Sequence, residues 1–235
     1  MGKSNKHLRR EFEELLDTSP GIRQESATFE SGELLYKLGR YEEAADMLMQ
    51  LTDTRLYPTH AAAALYRLGD CRRKLGQWRE AADAYSKALS KAGATGELER
   101  RCRFGYARAL VYLGQPQQAR EELSPLATPT QSPSIRAAAL REMGIVTSRA
   151  ATVARDANDT AVAAQLYARA YRDYDELLGD AEALAELSND EIAYWRGWCA
   201  DNRARLEPDD DMRAQWLDLA FASYRAVRAR SGRGK

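Results

Sequence analysis

The sequence predicts an all-α chain of about five helical hairpins, the last two elongated, preceded by an N-terminal helix. Three observations carry this prediction. The segment Tyr36–Leu51 returns as Arg73–Leu89 and again as Val111–Leu126. Within it, Gly39, Gly76 and Gly114 stand 37 and 38 residues apart, and each is followed five residues later by Ala44, Ala81 or Ala119. Apolar residues recur at intervals of three and four, and nowhere with the alternation of a strand.

Residues 1–21 read as an amphipathic helix and a turn, with Leu8, Phe12, Leu15 and Leu16 on one stripe of Ser4–Leu16 and Ser19-Pro20 opening the next helix. Residues 22–130 read as three regular hairpins. Four residues beyond each repeat alanine comes Leu48, Tyr85 or Leu123, and three further on Leu51, Ala88 or Leu126, all on one helix face. The first helix of each hairpin offers a small residue, Gly32, Gly69 or Ala107, that admits the partner helix while the large residue fills the space beside it. The glycine between them ends the first helix in a left-handed cap.

Residues 131–230 read as two elongated hairpins with a C-terminal capping helix. Gly144 is followed by Ala163, Tyr167 and Ala170, and Gly197 by Ala220, Tyr224 and Val227. The interval from small residue to alanine is 12 in the first three copies, 19 in the fourth and 23 in the fifth. Seven and eleven extra residues are about two and three turns at ~3.6 residues per turn, so the hairpin grows without rotating its apolar faces. The turns are expected near Ala157–Asp159 and Glu207–Asp211. The second of these reads as a loop and helix N-cap, without the alternating ligands and glycine of a calcium loop. Trp216, Leu219, Ala220, Tyr224 and Val227 share one side of the last helix, opposite a charged face suited to a terminal unit. Residues 231–235 read as a disordered tail.

Composition excludes more than it identifies. The chain has 235 residues, 44% of them hydrophobic, and its 35 basic and 35 acidic side chains balance, so no global field draws it to nucleic acid or an anionic membrane. Cys71, Cys102 and Cys199 are too scattered for a disulfide framework or a zinc cluster and read as free thiols in a reducing compartment. Neither a signal-peptide core nor a transmembrane stretch occurs. A cytoplasmic location is expected, or a periplasmic one if a native signal peptide has been removed. The MGKSNK start fits a myristoylation signal poorly, because Lys6 stands where Ser or Thr belongs. His7, in the N-terminal helix, and His60, assigned to a loop between repeats, form no triad or metal pair. Phosphate-binding glycine motifs are absent, and Glu42, Glu43, Glu121 and Glu122 fall at solvent-facing helix positions. No catalytic residue, metal or cofactor is expected, and the chain does not read as an enzyme.

The repeated small–turn–alanine–large unit resembles the tetratricopeptide repeat over about residues 22–230. The stretch RLYPTHAAAALYRLGDCRRKLGQW also resembles bacterial cell-envelope members of that family. The resemblance implies a right-handed superhelical solenoid whose first helices line a concave groove for a partner segment. The groove positions it implies are Phe29, Glu33, Tyr36, Tyr66, Asp70, Arg73, Phe104, Arg108, Tyr112, Arg141, Tyr194 and Trp198. Co-chaperone members hold a terminal carboxylate with a Lys/Asn/Arg clamp. Here Phe29, Glu33, Tyr66 and Asp70 occupy the matching positions, and two acids would repel a carboxylate. The first two copies are therefore expected to form an acidic, aromatic pocket for a basic or aromatic segment, and the next two to turn basic through Arg101, Arg108 and Arg141. The expected function is a non-catalytic protein-binding scaffold. The alternatives are a component of outer-membrane or Tol–Pal type machinery and a self-associating protein using Trp195, Trp198 or Trp216.

Overall fold

The computed structural model describes residues 20–52, 58–91, 95–180, 182 and 189–231. The expected N-terminal helix, His7 and the tail beyond Ser231 lie outside the described residues. Among the described residues all regular structure is helical: α1 (Pro20–Lys37), α2 (Tyr41–Met49), α3 (Pro58–Lys74), α4 (Trp78–Ser90), α5 (Gly96–Tyr112), α6 (Pro116–Leu123), a 3-10 turn (Ser124–Leu126), α7 (Pro133–Asp156), α8 (Thr160–Gly179), α9 (Asn189–Arg205) and α10 (Asp210–Ser231). None of these helices is long and apolar enough to cross a membrane. The chain divides into two compact units, Met1–Ala109 and Leu110–Lys235, the boundary falling within α5.

The turns follow from local chemistry. Gly39, Gly76 and Gly114 have φ of 77°, 74° and 75°, and Asn158 takes the same left-handed conformation at 62°. At each, two backbone bonds close the helix end: Gly39 N–H to Tyr36 and Arg40 N–H to Leu35, then Gly76 to Arg73 and Gln77 to Arg72. Gly114 bonds to Val111 and Gln115 to Leu110, and Asn158 bonds to Arg155 and Asp159 to Ala154. This is the Schellman arrangement, which satisfies orphan carbonyls and needs a residue tolerant of positive φ. Asparagine is the next most tolerant residue after glycine, and it replaces glycine in the fourth turn.

In unit 1, α1 packs on α2, α2 on α3 and α3 on α4. Gly32 lies against Leu48, and both Gly69 and Gly105 lie against the ring of Tyr85. Tyr85 is fully buried between glycines from α3 and α5, which explains why neither helix carries a side chain there. Ala44, Ala45, Leu48, Leu51 and Leu68 form one core cluster, and Leu65, Ala88 and Cys102 form the next. His60 belongs to the first turn of α3 rather than to a loop, because the helix begins at Pro58.

In unit 2, α6 packs on α7, α7 on α8, α8 on α9 and α9 on α10. The fourth hairpin is built of 24- and 20-residue helices. Its lengthening corrects one sequence pairing. Leu48, Tyr85, Leu123 and Tyr167 each follow a left-handed turn residue by nine positions, so Tyr167 occupies the regular level of the repeat. Ala163 and Tyr167 therefore pack with Ala151, whereas Gly144 lies two turns further from the bend, against Tyr174. Each arm has gained seven residues, which preserves the apolar face but adds a second small–large level. In the fifth hairpin the extra length falls on α10, of 22 residues, while α9 has 17. Its turn is held by side chains: Asp209 accepts from Met212 N–H at 2.8 Å, and Arg213 donates to the Glu207 carbonyl at 2.8 Å.

A buried ion pair joins three helices of unit 2. Arg120 on α6 grips the Asp173 carboxylate of α8 through both terminal nitrogens and also donates to Thr147 Oγ1 of α7 at 2.8 Å. Taking these charges out of water is costly, and the bidentate geometry with the hydroxyl as third partner offsets it.

Candidate protein-binding surface

The predicted site residues of unit 1 fall into an electrostatically closed group. Glu33 on α1 receives a fork of two bonds from Arg67 on α3, one of them 2.9 Å. Arg67 also reaches Asp70 at 3.3 Å, and Asp70 accepts from Arg73 at 3.1 Å and from the Tyr85 hydroxyl at 2.7 Å. The guanidinium of Arg67 lies 4.5 Å from the Tyr36 ring centre and 5.4 Å from that of Tyr66. Burial, and then the Asp70 charge, raises the Tyr36 and Tyr85 hydroxyls above their ordinary values, so both remain protonated. Tyr85 can thus act as a fixed donor to Asp70.

This arrangement corrects the expected acidic pocket. Glu33 and Asp70 are matched by Arg67 and Arg73, so the α1–α3 face is a neutral lattice of paired charges bordered by Tyr36 and Tyr66. Phe29 is half-buried and stacks on His60, with centres 5.8 Å apart and planes 2° from parallel. It supports the α1–α3 contact as much as it offers a surface. Phe104 is half-buried and Arg108 exposed on α5.

In unit 2 the predicted residues separate into supports and exposed groups. Trp198 is half-buried, edge-on to Tyr167 at 5.6 Å and to Trp195 at 5.8 Å, and touches two core clusters of the unit. Tyr194 and Trp195 stand outward on the same helix, 46% and 37% exposed, in a T-shaped pair 5.4 Å apart. Tyr194 also leans on Tyr224 at 5.9 Å. Arg141 of α7 bonds to Glu191 of α9 at 2.6 Å, so its charge is already partnered, as Arg101 is by Glu97 in unit 1. Tyr112 is half-exposed and accepts from Arg149 at 2.8 Å. Among the described residues no group of His, Cys, Asp and Glu side chains is arranged to hold a metal ion.

Comparisons with known proteins agree with this architecture. Residues 24–92, spanning most of α1 through α4, match the family model described as Tetratricopeptide repeat. Over these residues the chain is similar to tetratricopeptide repeats. Two solved structures of nearly identical TPR-like repeats, from a candidate kinesin light chain of Podosopora anserina, share its fold. Each is 18% identical, covers 89% of this chain and gives a TM-score of 0.57, with 97% and 96% of those chains covered. No curated protein sequence matches it significantly. Tetratricopeptide repeats in general serve protein–protein interaction.

Of the surface residues beside these positions, Arg67 escaped the sequence reading, and Trp195 was read only as a self-association residue and not as part of the groove. Arg67 lies 34 residues from Glu33, one repeat less one helical turn, and an opposite charge at that interval is the signal that could have found it. Trp195 adjoins the predicted Tyr194. Its exposure depends on how α9 is rotated against α8 and α10, and the weak periodicity of α9 does not specify that rotation.

Proposed function

We propose that this chain is a repeat protein of the tetratricopeptide type throughout and a non-catalytic scaffold that holds a segment of a partner protein against the first helices of its hairpins. The observation that carries the proposal is the Tyr194–Trp195 pair. Two large rings are exposed on a first helix, yet fixed edge-to-face, Trp195 against the half-buried Trp198 and Tyr194 against Tyr224. Such rings lose little side-chain entropy on binding and commonly anchor protein interfaces. In unit 1 by itself, the neutral lattice on α1 and α3 disfavours a strongly basic segment, since an incoming cation would have to displace Arg67 or Arg73.

The test combines a photo-crosslinking residue at Tyr194, with the exposed Glu176 as control position, and measurement of the captured partner's affinity for purified variants. Replacing Tyr194 and Trp195 with alanine is expected to weaken binding by about 30-fold, corresponding to roughly 2 kcal/mol of lost anchor contact. Thermal stability should change little. A partner bound equally well by the double variant would overturn this assignment.

A further inference from the structure

The second helices of the fourth and fifth hairpins, α8 and α10, both pack on α9 and leave a cleft of about 630 Å³ between them. Ala161, Ala164, Ala168 and Arg172 follow one another on the cleft face of α8 at helical spacing, with Arg169 beside them. Met212, 43% exposed, and the half-buried Trp216 stand one turn apart on the α10 side. Trp216 is fixed in place, since Tyr171 meets it edge-on at 5.6 Å and the guanidinium of Arg203 lies 5.6 Å from its ring centre. The cleft therefore joins a firm apolar wall to a pair of cations.

Charge decides what enters it. Other arginines of unit 2 hold carboxylates: Arg136 holds Asp180, Arg141 holds Glu191 and Arg205 holds Asp201. Arg203, at the cleft itself, is matched by Glu207. Arg169 and Arg172 are exposed, and among the described residues neither has a hydrogen bond or an ion pair. None of the residues lining the cleft is acidic. The acids that follow on α8 do not serve them, because Asp173 is gripped by Arg120, Asp175 by Arg196, and Glu176 does not line the cleft. Two guanidinium groups three residues apart on one helix repel one another. Carboxylates set upon them remove that repulsion and accept forked pairs of bonds. We infer that this cleft binds an acidic segment of a partner protein, with Asp or Glu carboxylates on Arg169 and Arg172 and an apolar side chain of the same segment against Met212 and Trp216. From Ala161 to Arg172 the face runs about 16 Å at ~1.5 Å per residue, which about five residues of extended chain at ~3.3 Å each would cover. A nucleic acid or free phosphate would engage the arginines but leave the apolar wall in water, whereas a peptide uses both. The surface is built by second helices and does not rest on the reading of Tyr194 and Trp195 above.

A library of random short peptides displayed on phage, panned on the full chain, tests this. The expected winners carry Asp or Glu beside a leucine or an aromatic residue. A synthetic copy of one should bind Arg169→Glu/Arg172→Glu at least about tenfold more weakly by fluorescence anisotropy. Met212→Glu should weaken it too, and all these side chains are exposed, so the melting temperature should hold. A copy with lysine in place of its acids should prefer the reversed chain. Raising the salt from about 0.05 M to about 0.5 M should loosen the complex several-fold, as screening shortens the reach of exposed charges. The variant lacking Tyr194 and Trp195 should bind the acidic peptide normally, which separates this cleft from the partner site. Winners that are basic or uncharged, an acidic peptide indifferent to the arginine reversal, or its displacement by equimolar inorganic phosphate would each overturn the inference.

Discussion

Gly144 lies so close beneath Tyr174 that an added methyl carbon would stand 2.6 Å from the ring, and Tyr174 is almost fully buried with no room to withdraw. Two effects oppose each other in Gly144→Ala. Alanine favours the helix by about 1 kcal/mol over glycine, whereas forcing a group into a packed contact costs about 1–3 kcal/mol. The contact prevails because the obstructing atoms belong to a rigid ring rather than to the end of a flexible chain. Chemical denaturation should therefore show net destabilisation by about 1 kcal/mol, and unchanged or raised stability would mean that the helices can separate at little cost. The same reasoning explains why Tyr85 has glycine on both sides, at Gly69 and Gly105. The sequence reading identified Gly69 but assigned the third hairpin's small position to Ala107. The Gly105 contact is made with the preceding hairpin, so it could not be read from spacing within its own repeat.

Each helical hairpin is defined by the residue that ends its first helix. In the fourth hairpin that residue is Asn158, with φ of 62°. Asn158→Gly should be neutral or stabilising by up to about 1 kcal/mol, because it removes the steric cost of a left-handed side chain. Asn158→Val should be clearly destabilising, since β-branching worsens the same clash. Equal melting temperatures for the two variants would contradict a left-handed cap at this turn. The lengthened arms also show what regular spacing leaves open. The 19-residue interval from Gly144 to Ala163 preserves the helix face, but Gly144 could meet Tyr167 or Tyr174, which are seven residues apart on one stripe. The level was decided by symmetry about the bend: two extra turns were added to both α7 and α8, so the old level stayed with Tyr167 and the new one formed at Tyr174.

Across the whole molecule, the three thiols report on both units. Cys71, Cys102 and Cys199 are all buried and free. Burial, reinforced by the Asp70 carboxylate, pushes Cys71 up to about 11 and Cys102 up to about 12; burial also raises Cys199, with Asp173 adding to it. At mildly alkaline pH the native thiols therefore stay protonated and shielded, and the reactive thiolate is scarce. A disulfide exchange reagent should label essentially none of them in native buffer and all 3 per chain in denaturant. Rapid native labelling of Cys71 or Cys102 would show that unit 1 opens readily, and labelling of Cys199 would show the same for unit 2.

The amino-acid sequence by itself determined the helical class, the hairpin period, the glycine turns and the small–large pairing of the regular repeats. These are local consequences of 3.6-residue periodicity and of glycine's tolerance for positive φ. The positions that face a partner were only partly legible, because exposure depends on neighbours from other helices. Tertiary packing turned Trp198 into a support and left Tyr194 and Trp195 outward. It stacked Phe29 on His60, and it set Arg67 between Glu33 and Asp70. Asp70 has its arginines three residues away on its own helix, a spacing that can be read from the chain, but the neutralisation of Glu33 required the folded geometry that brings Arg67 from the next hairpin within bonding distance.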